Sequence, residues 1–291
     1  MWFLLAVMAM ASTDPQAGCD AGDMKACVEL GSAYLQGEGK PRDPFRAVQL
    51  FRKACSGKNA HGCMYLAEAY RKGEGAGADA SKALDYYTQA CELGDGLACR
   101  SVGDLYVMGT VGRADGRTAG LWYRMACDLM DGPGCTAAAL WLERGDVVEA
   151  DPEGAAVLFE QGCTLGDVRG CTQLGIRYAK GAGGLSRDQA KAGAWYARAC
   201  PMTDDVDPEG CRELGWMQIK GKGVPENLSE GHERLERACF KNDHEGCRHL
   251  ADVEMDQDRL AEALVAAQRG CDLGDAPSCR RLERVKFKML Q

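Results

Sequence analysis

The chain has 291 residues, 46% of them apolar and 27% charged, with a net charge of −8 and sixteen cysteines. An acidic balance with no run of five Lys or Arg offers nothing to displace counterions from phosphates, which excludes nucleic acid as a partner and disfavours an anionic membrane surface. The cysteines, even in number and far above the usual frequency, point to a disulfide framework.

Residues 1–11, MWFLLAVMAMA, form an apolar run too short to span a bilayer, which takes about 20 residues. Ala9-Met10-Ala11 ahead of Ser12 is the small-x-small pattern that signal peptidase prefers. Residues 1–11 are therefore expected to be a signal peptide, although no Lys or Arg precedes Lys25, and residues 12–18 a short linker. Gln16-Ala17-Gly18-Cys19 has the wrong residue type at Gln16 for a lipoprotein box, which argues against an outer-membrane anchor on Cys19. No later segment reaches membrane-spanning length.

From residue 19 to the end the chain repeats. The cysteines are Cys19, Cys27, Cys55, Cys63, Cys91, Cys99, Cys127, Cys135, Cys163, Cys171, Cys200, Cys211, Cys239, Cys247, Cys271 and Cys279. Successive pairs stand eight positions apart except Cys200 with Cys211, and from Cys19 to Cys163 the first member recurs every 36 residues. A fixed period in this range marks stacked supersecondary units.

Three residues after the second cysteine of a pair comes an apolar residue, often followed by Gly, as in Leu30-Gly31, Val102-Gly103, Leu174-Gly175 and Leu214-Gly215. Four residues further lies Tyr34, Tyr70, Tyr106 or Tyr178, then a glycine at 37, 73, 109, 145, 181 and 221. Apolar positions at i, i+4 and i+7 share one helical face, and the late glycine suits a left-handed helix end. A second helix then starts on Asp43-Pro44, Asp79, Asp151-Pro152 or Asp188, where the carboxylate accepts orphan N–H groups and Pro loses nothing. It carries Phe51, Tyr86-Tyr87, Trp122-Tyr123, Phe159 or Trp195-Tyr196 and ends in Ala-Cys. The expected architecture is all-α: an α/α solenoid of about seven helix pairs over residues 19–291, closed by a helix near 275–290.

The pattern Leu-Gly-x-x-Tyr-x-x-Gly-x-Gly, then Asp, Lys-Ala, Tyr-Tyr and Ala-Cys-x-Leu-Gly-Asp, resembles the Sel1-like repeat. The cysteines flanking each inter-unit turn resemble its cysteine-rich branch, the Helicobacter cysteine-rich proteins. Leu142 and Gln218 depart from the pattern in place of tyrosine, and residues 201–208 enlarge one turn. The resemblance implies a TPR-like protein-binding scaffold. Some relatives carry a β-lactamase label, which makes β-lactamase-like or penicillin-binding activity the second reading. A thiol-redox or metal/haem assembly factor is the third.

In Cys91-Glu-Leu-Gly-Asp-Gly-Leu-Ala-Cys99 the cysteines stand almost symmetrically about the turn, so an antiparallel hairpin brings them within disulfide reach. Pairing in sequence order staples each unit to the next, at about 2.5 kcal/mol per small loop. No Cys-x-x-Cys favours redox chemistry, and His61, His232, His244 and His249 complete no tetrahedral zinc set. None of the eight serines has Lys three residues on, and neither Lys-Thr-Gly nor Gly-x-Ser-x-Gly occurs. No catalytic residue, cofactor or metal is therefore assigned.

A helix-pair solenoid offers its first helices as a concave surface. Five residues after the second cysteine stand Ser32, Glu68, Asp104, Leu140, Ile176, Trp216 and Asp252. The polar members read as solvent-facing. The apolar run Leu140, Trp141, Ile176, Trp216 and Met217 is expected either to anchor a partner or to pack in the core. The reading is a monomeric secreted or periplasmic scaffold for a protein, a peptide or a cell-wall component.

Overall fold

The computed structural model describes residues 14–145 and 150–291, so the expected signal peptide lies outside the described residues. They form sixteen α-helices with no strand among them, and fall into two compact units, one ending at Leu129 and one starting at Met130. The first unit comprises α1 (Pro15–Asp20), α2 (Met24–Gln36), α3 (Pro44–Ser56), α4 (Ala60–Lys72), α5 (Ala80–Glu92), α6 (Gly96–Met108) and α7 (Gly116–Asp128). The second comprises α8 (Gly132–Arg144), α9 (Pro152–Thr164), α10 (Val168–Lys180), α11 (Gln189–Ala199), α12 (Pro208–Ile219), α13 (Leu228–Phe240), α14 (His244–Asp256), α15 (Leu260–Asp272) and α16 (Ala276–Met289). From α2 to α15 each even-numbered helix is the first of a pair and each odd-numbered helix the second. This is the expected solenoid of helix pairs with a closing helix. One boundary differs: the linker expected over 12–18 is already helical from Pro15, because Asp14 accepts from the Gln16 amide and Pro15 occupies the first turn.

Capping sets the helix starts. Every helix but α15 begins on an Asp or Asn whose side chain accepts a backbone amide, as Asp95 does from Ala98 and Asn227 from Glu230. Each such cap stabilises its helix by about 1 kcal/mol. Within a pair the loop closes in one way throughout. The N-cap amide of the second helix donates to a carbonyl near the end of the first: Asp43 to Tyr34, Asp79 to Tyr70, Asp115 to Tyr106, Asp151 to Leu142, Asp188 to Tyr178 and Asn227 to Gln218. The bond is main-chain, which is why Leu142 and Gln218 can replace tyrosine without altering it.

Between pairs, the third residue after the first cysteine turns left-handed, as at Gly22, Gly94, Gly166 and Gly274. Lys58, Met130 and Asn242 take the same conformation despite their side chains. Seven bridges join sequence-adjacent cysteines at Cα separations of 4.4 to 4.9 Å. Among them is Cys200–Cys211, whose three extra residues loop out between α11 and α12. Cys127 and Cys135 are not free thiols either.

Candidate binding groove

The contact inside each pair decides what the first helices present. In the first unit the Tyr123 ring of α7 lies on Gly103 of α6, where an added Cβ would stand 2.7 Å from the ring. Phe51 of α3 lies on Gly31 in the same way, and in the second unit Tyr196 lies on Gly175. The ring is buried, and a tyrosine hydroxyl then needs a partner. For Tyr87 and Tyr123 the residue five after the second cysteine supplies it: Tyr87 donates to Glu68, and Tyr123 donates to Asp104 at 2.7 Å. Both phenols are held well above their usual range, by burial first and by these carboxylates second.

This register accounts for the acids facing Tyr87 and Tyr123 only; Tyr196 faces apolar Ile176, and Asp252 faces Ala267 and pairs with Arg281. Where the second helix carries Phe51, Phe159 or Leu235, no hydroxyl exists, and the facing residue is Ser32, Leu140 or Trp216. All seven residues of the row are half-buried, and Glu68 and Asp104 are partners of buried hydroxyls as well as surface residues.

The five apolar residues read as one stripe are therefore divided. Met217 is buried in a core cluster with Tyr196 and Leu214, and Ile176 packs against the same cluster. Met217 leaves the stripe because the sixth residue after the cysteine faces inward, as Ala69, Leu105, Arg177 and Val253 do. Trp141 occupies that register too, half-buried beneath Arg144 at 5.6 Å. Trp216 packs against a separate cluster with Leu235, meets His249 edge-on at 4.2 Å and lies under Lys220. Leu140 lines a 250 Å³ depression with Pro133, Ala137 and Gln173.

Two openings lie on the first helices of the first unit. Two cavities of about 540 and 410 Å³ run over α2, α4 and α6 and share Met64, Tyr65 and Leu97. They are within the size range of small-ligand sites. Tyr65 is stacked on buried Phe51, with centroids 5.1 Å apart, so the floor is set before anything binds. Leu97 and Met108 are exposed by 41% and 74%. The walls carry Glu29, Glu38, Glu68, Asp95 and Asp104 against Lys25 and Arg71. Arg71 is spent on Glu68, with two nitrogen–oxygen contacts of 2.6 and 2.8 Å. That guanidinium is the main reason the Glu68 carboxyl is held down to about 2; burial pulls the other way, and Tyr87 and Lys72 add to the lowering. Glu29 and Glu38 are exposed and have no ion-pair partner among the described residues. Sequence reasoning missed this groove, although the acids on each first helix were visible.

The first-helix face of the second unit is neutralised internally. Arg212 of α12 reaches Glu209, Glu213, Asp243 and Glu245 within 3.2 Å. Burial works against its charge, but Asp243 and the glutamates outweigh that and hold the guanidinium protonated. Arg177 pairs with Glu143, Arg248 with Glu245, and Arg281 with Asp252. Among the described residues, no group of three His, Cys, Asp or Glu is placed to hold a metal ion, and no helix is long and apolar enough to cross a membrane.

Comparison with known proteins agrees with the repeat. The Sel1 repeat matches at residues 25–59, 60–95, 96–129, 133–167, 168–200 and 208–239. The chain belongs to the Sel1 repeat family. Sel1 repeats generally mediate protein–protein interaction. Among solved structures, it is similar to c5321, a protective antigen of uropathogenic Escherichia coli, at 22% identity and a TM-score of 0.77. That match covers 94% of this chain but only 59% of the antigen, so the chain spans about three fifths of its relative's length. A Sel1 repeat protein from Oxalobacter formigenes matches at 25% identity and a TM-score of 0.66, over 77% of this chain and 97% of that one. Cysteine-rich protein B of Helicobacter pylori is 32% identical over 45% of this chain and 93% of its own, with a TM-score of 0.38. No curated protein sequence matches significantly.

Proposed function

We propose that the protein is an exported, non-catalytic interaction scaffold that holds a segment of a partner protein in the groove over α2, α4 and α6. The observation that carries this reading is the groove itself: a floor of Met64, Tyr65 and Leu97 fixed from beneath by Phe51 and bordered by carboxylates. Apolar and aromatic side chains on a rigid element, ringed by charge, are what a protein hot spot requires. Export agrees with a chain in which no described cysteine is free, since such bridges persist in an oxidising compartment.

Selection of a random peptide library on the purified chain tests the groove. Ser101 lines it on α6, so Ser101→Trp fills it from one side. Selected peptides should lose at least tenfold in affinity for Ser101→Trp, with circular dichroism and Tm unchanged. Peptides that bind both proteins equally would place the binding surface elsewhere. Non-reducing peptide mapping of protein taken from its native compartment checks export, and free thiols there would overturn it.

A further inference from the structure

We infer that Cys271–Cys279 is a site of thiol–disulfide exchange, open in the folded chain to a low-molecular-weight thiol that becomes attached to Cys271. The inference is independent of the groove. Two observations support it: how the bridges are covered, and which charges stand beside the two sulfurs of this one.

The staples are not equally sheltered. Cys271 and Cys279 are both half-buried, whereas every other cysteine is 5% exposed or less. In four pairs the shelter comes from one register: two residues before its own cysteine, the second helix sends a side chain back over the preceding bridge. Gln89 stands 3.3 Å from the Cys55 sulfur, Met125 3.4 Å from that of Cys91 and Arg237 3.9 Å from that of Cys200. Lys53 donates to the Cys19 carbonyl at 2.7 Å. Neither Cys271 nor Cys279 has such a cover among the described residues. Exchange needs a thiolate to reach a bridge sulfur, so access separates this pair from the rest.

The neighbouring charges decide which sulfur is attacked. Cys279 lies in the first turn of α16, where unpaired amides favour negative charge. Arg280 follows it, exposed and without an ion-pair partner among the described residues. Asp275 at the same helix end is spent on Ser278, His244 and Arg248. Cys271 lies in the last turn of α15, where carbonyls disfavour negative charge, and exposed Asp272 follows it. Cys279 therefore carries the better leaving sulfur. The incoming thiolate bonds to the Cys271 sulfur, the bond between the two cysteines breaks, and its electron pair leaves on Cys279, which takes a proton from water. A second thiolate displaces Cys271 and carries off the first thiol as a disulfide, so oxidation of two thiols balances reduction of one bridge. Without thiol in excess, Cys279 recloses on Cys271. Buried Leu282 and Val285, and Arg281 on Asp252, also hold α16, so opening removes a covalent tie and not the helix.

The test treats the intact disulfide-bonded chain at neutral pH with excess 2-mercaptoethanol, a neutral thiol that leaves electrostatic steering out. Samples are trapped with N-ethylmaleimide at successive times and their peptides mapped without reduction. The first adduct should stand on Cys271 with Cys279 alkylated. It should form about tenfold or more faster than any opening at Cys163–Cys171, where Cys163 is 5% exposed. Urea well below the unfolding transition should leave its rate nearly unchanged, since no unfolding is needed to reach the bridge. Arg280→Glu should slow it by about threefold with Tm unchanged. If the bridges open together, or a buried one opens first, access does not set the order and the inference fails. An adduct on Cys279 in place of Cys271, or indifference to Arg280→Glu, would overturn the charge argument. A rate that climbs steeply with urea would mean that α16 must first come away, and the bridge would then be closed to thiols in the folded chain.

Discussion

The two units have the same helix pairs, caps and staples, yet their first-helix faces differ in how charge is spent. In the first unit Arg71 is half-exposed and engages one carboxylate, while Glu29 and Glu38 face outward unpaired. In the second, Arg212 is almost buried and engages four. The scaffold is carried by positions that hardly vary, the cysteines, the N-cap Asp or Asn and the loop carbonyl. The residues one, two and five after the second cysteine are free to make a face that neutralises itself or one that waits for a partner.

The largest expected effect comes from breaking the second unit's network. Arg212→Ala leaves Asp243, whose side chain is 9% exposed, without its guanidinium. Losing one partner of a buried ion pair costs about 3 kcal/mol. Arg71→Ala, at a side chain 46% exposed, should cost less than about 1 kcal/mol, since water replaces much of what Glu68 loses. Urea unfolding of the two variants measures the gap. Equal destabilisation would mean that the faces do not differ in the way the geometry indicates.

Next in size is an exchange of partners between the units. The second unit pairs Phe159 with Leu140 where the first pairs Tyr123 with Asp104. Tyr123→Phe should cost about 1 kcal/mol by removing the hydroxyl from Asp104. Adding Asp104→Leu recreates the apolar pair and should recover most of that loss, giving a coupling near 1 kcal/mol in the double-mutant cycle. Additive losses would show that hydroxyl and carboxylate do not answer each other.

That pairing also marks what could be read from the chain and what could not. The period of the cysteines, the Asp-Pro starts and the Gly ends specified helix, turn and staple, because caps and hairpin bridges are local in sequence. The polarity of Glu68 and Asp104 was read as exposure because their reason lies 19 residues away, in the hydroxyls of Tyr87 and Tyr123. Whether Met217 anchors a partner or packs in the core stayed open, because the sixth residue after the cysteine shows its inward direction only when the second helix is in place. The groove was missed for a related reason. An acid matters there when no cation reaches it, and Arg212 with Asp243, 31 residues apart, shows how far such cations can come from.

A smaller effect separates the units by pH. His249 stands edge-on to Trp216, with Nδ1 buried and lacking a hydrogen-bond partner among the described residues. Its pKa is lowered, first by burial and then by Arg248 and Arg212, against the opposing pull of Asp252 and Glu213. A lowered folded-state pKa favours the neutral ring, so the stability it contributes is present above the unfolded histidine value of about 6.5 and is lost as pH falls from there through the lower folded value. His249→Phe should flatten the decline of Tm as pH falls below about 6.5. An unchanged slope would assign the decline to other groups.

The smallest effect is at a turn between pairs. Lys58 holds φ at 61°, where its homologues in other turns are Gly22, Gly94, Gly166 and Gly274. A side chain there costs about 1–2 kcal/mol relative to glycine. Against this, Lys58→Gly gives up part of a favourable charge at the C-terminal end of α3 and gains freedom in the unfolded chain. The net expectation is a gain of about 0.5 kcal/mol, read as a small rise in Tm. The turn at Gly94 has nothing to relieve, and Gly94→Lys should lower Tm by about the same amount. If both substitutions destabilise, Lys58 holds its turn through contacts of its side chain, and the turns are less interchangeable than their shared conformation implies.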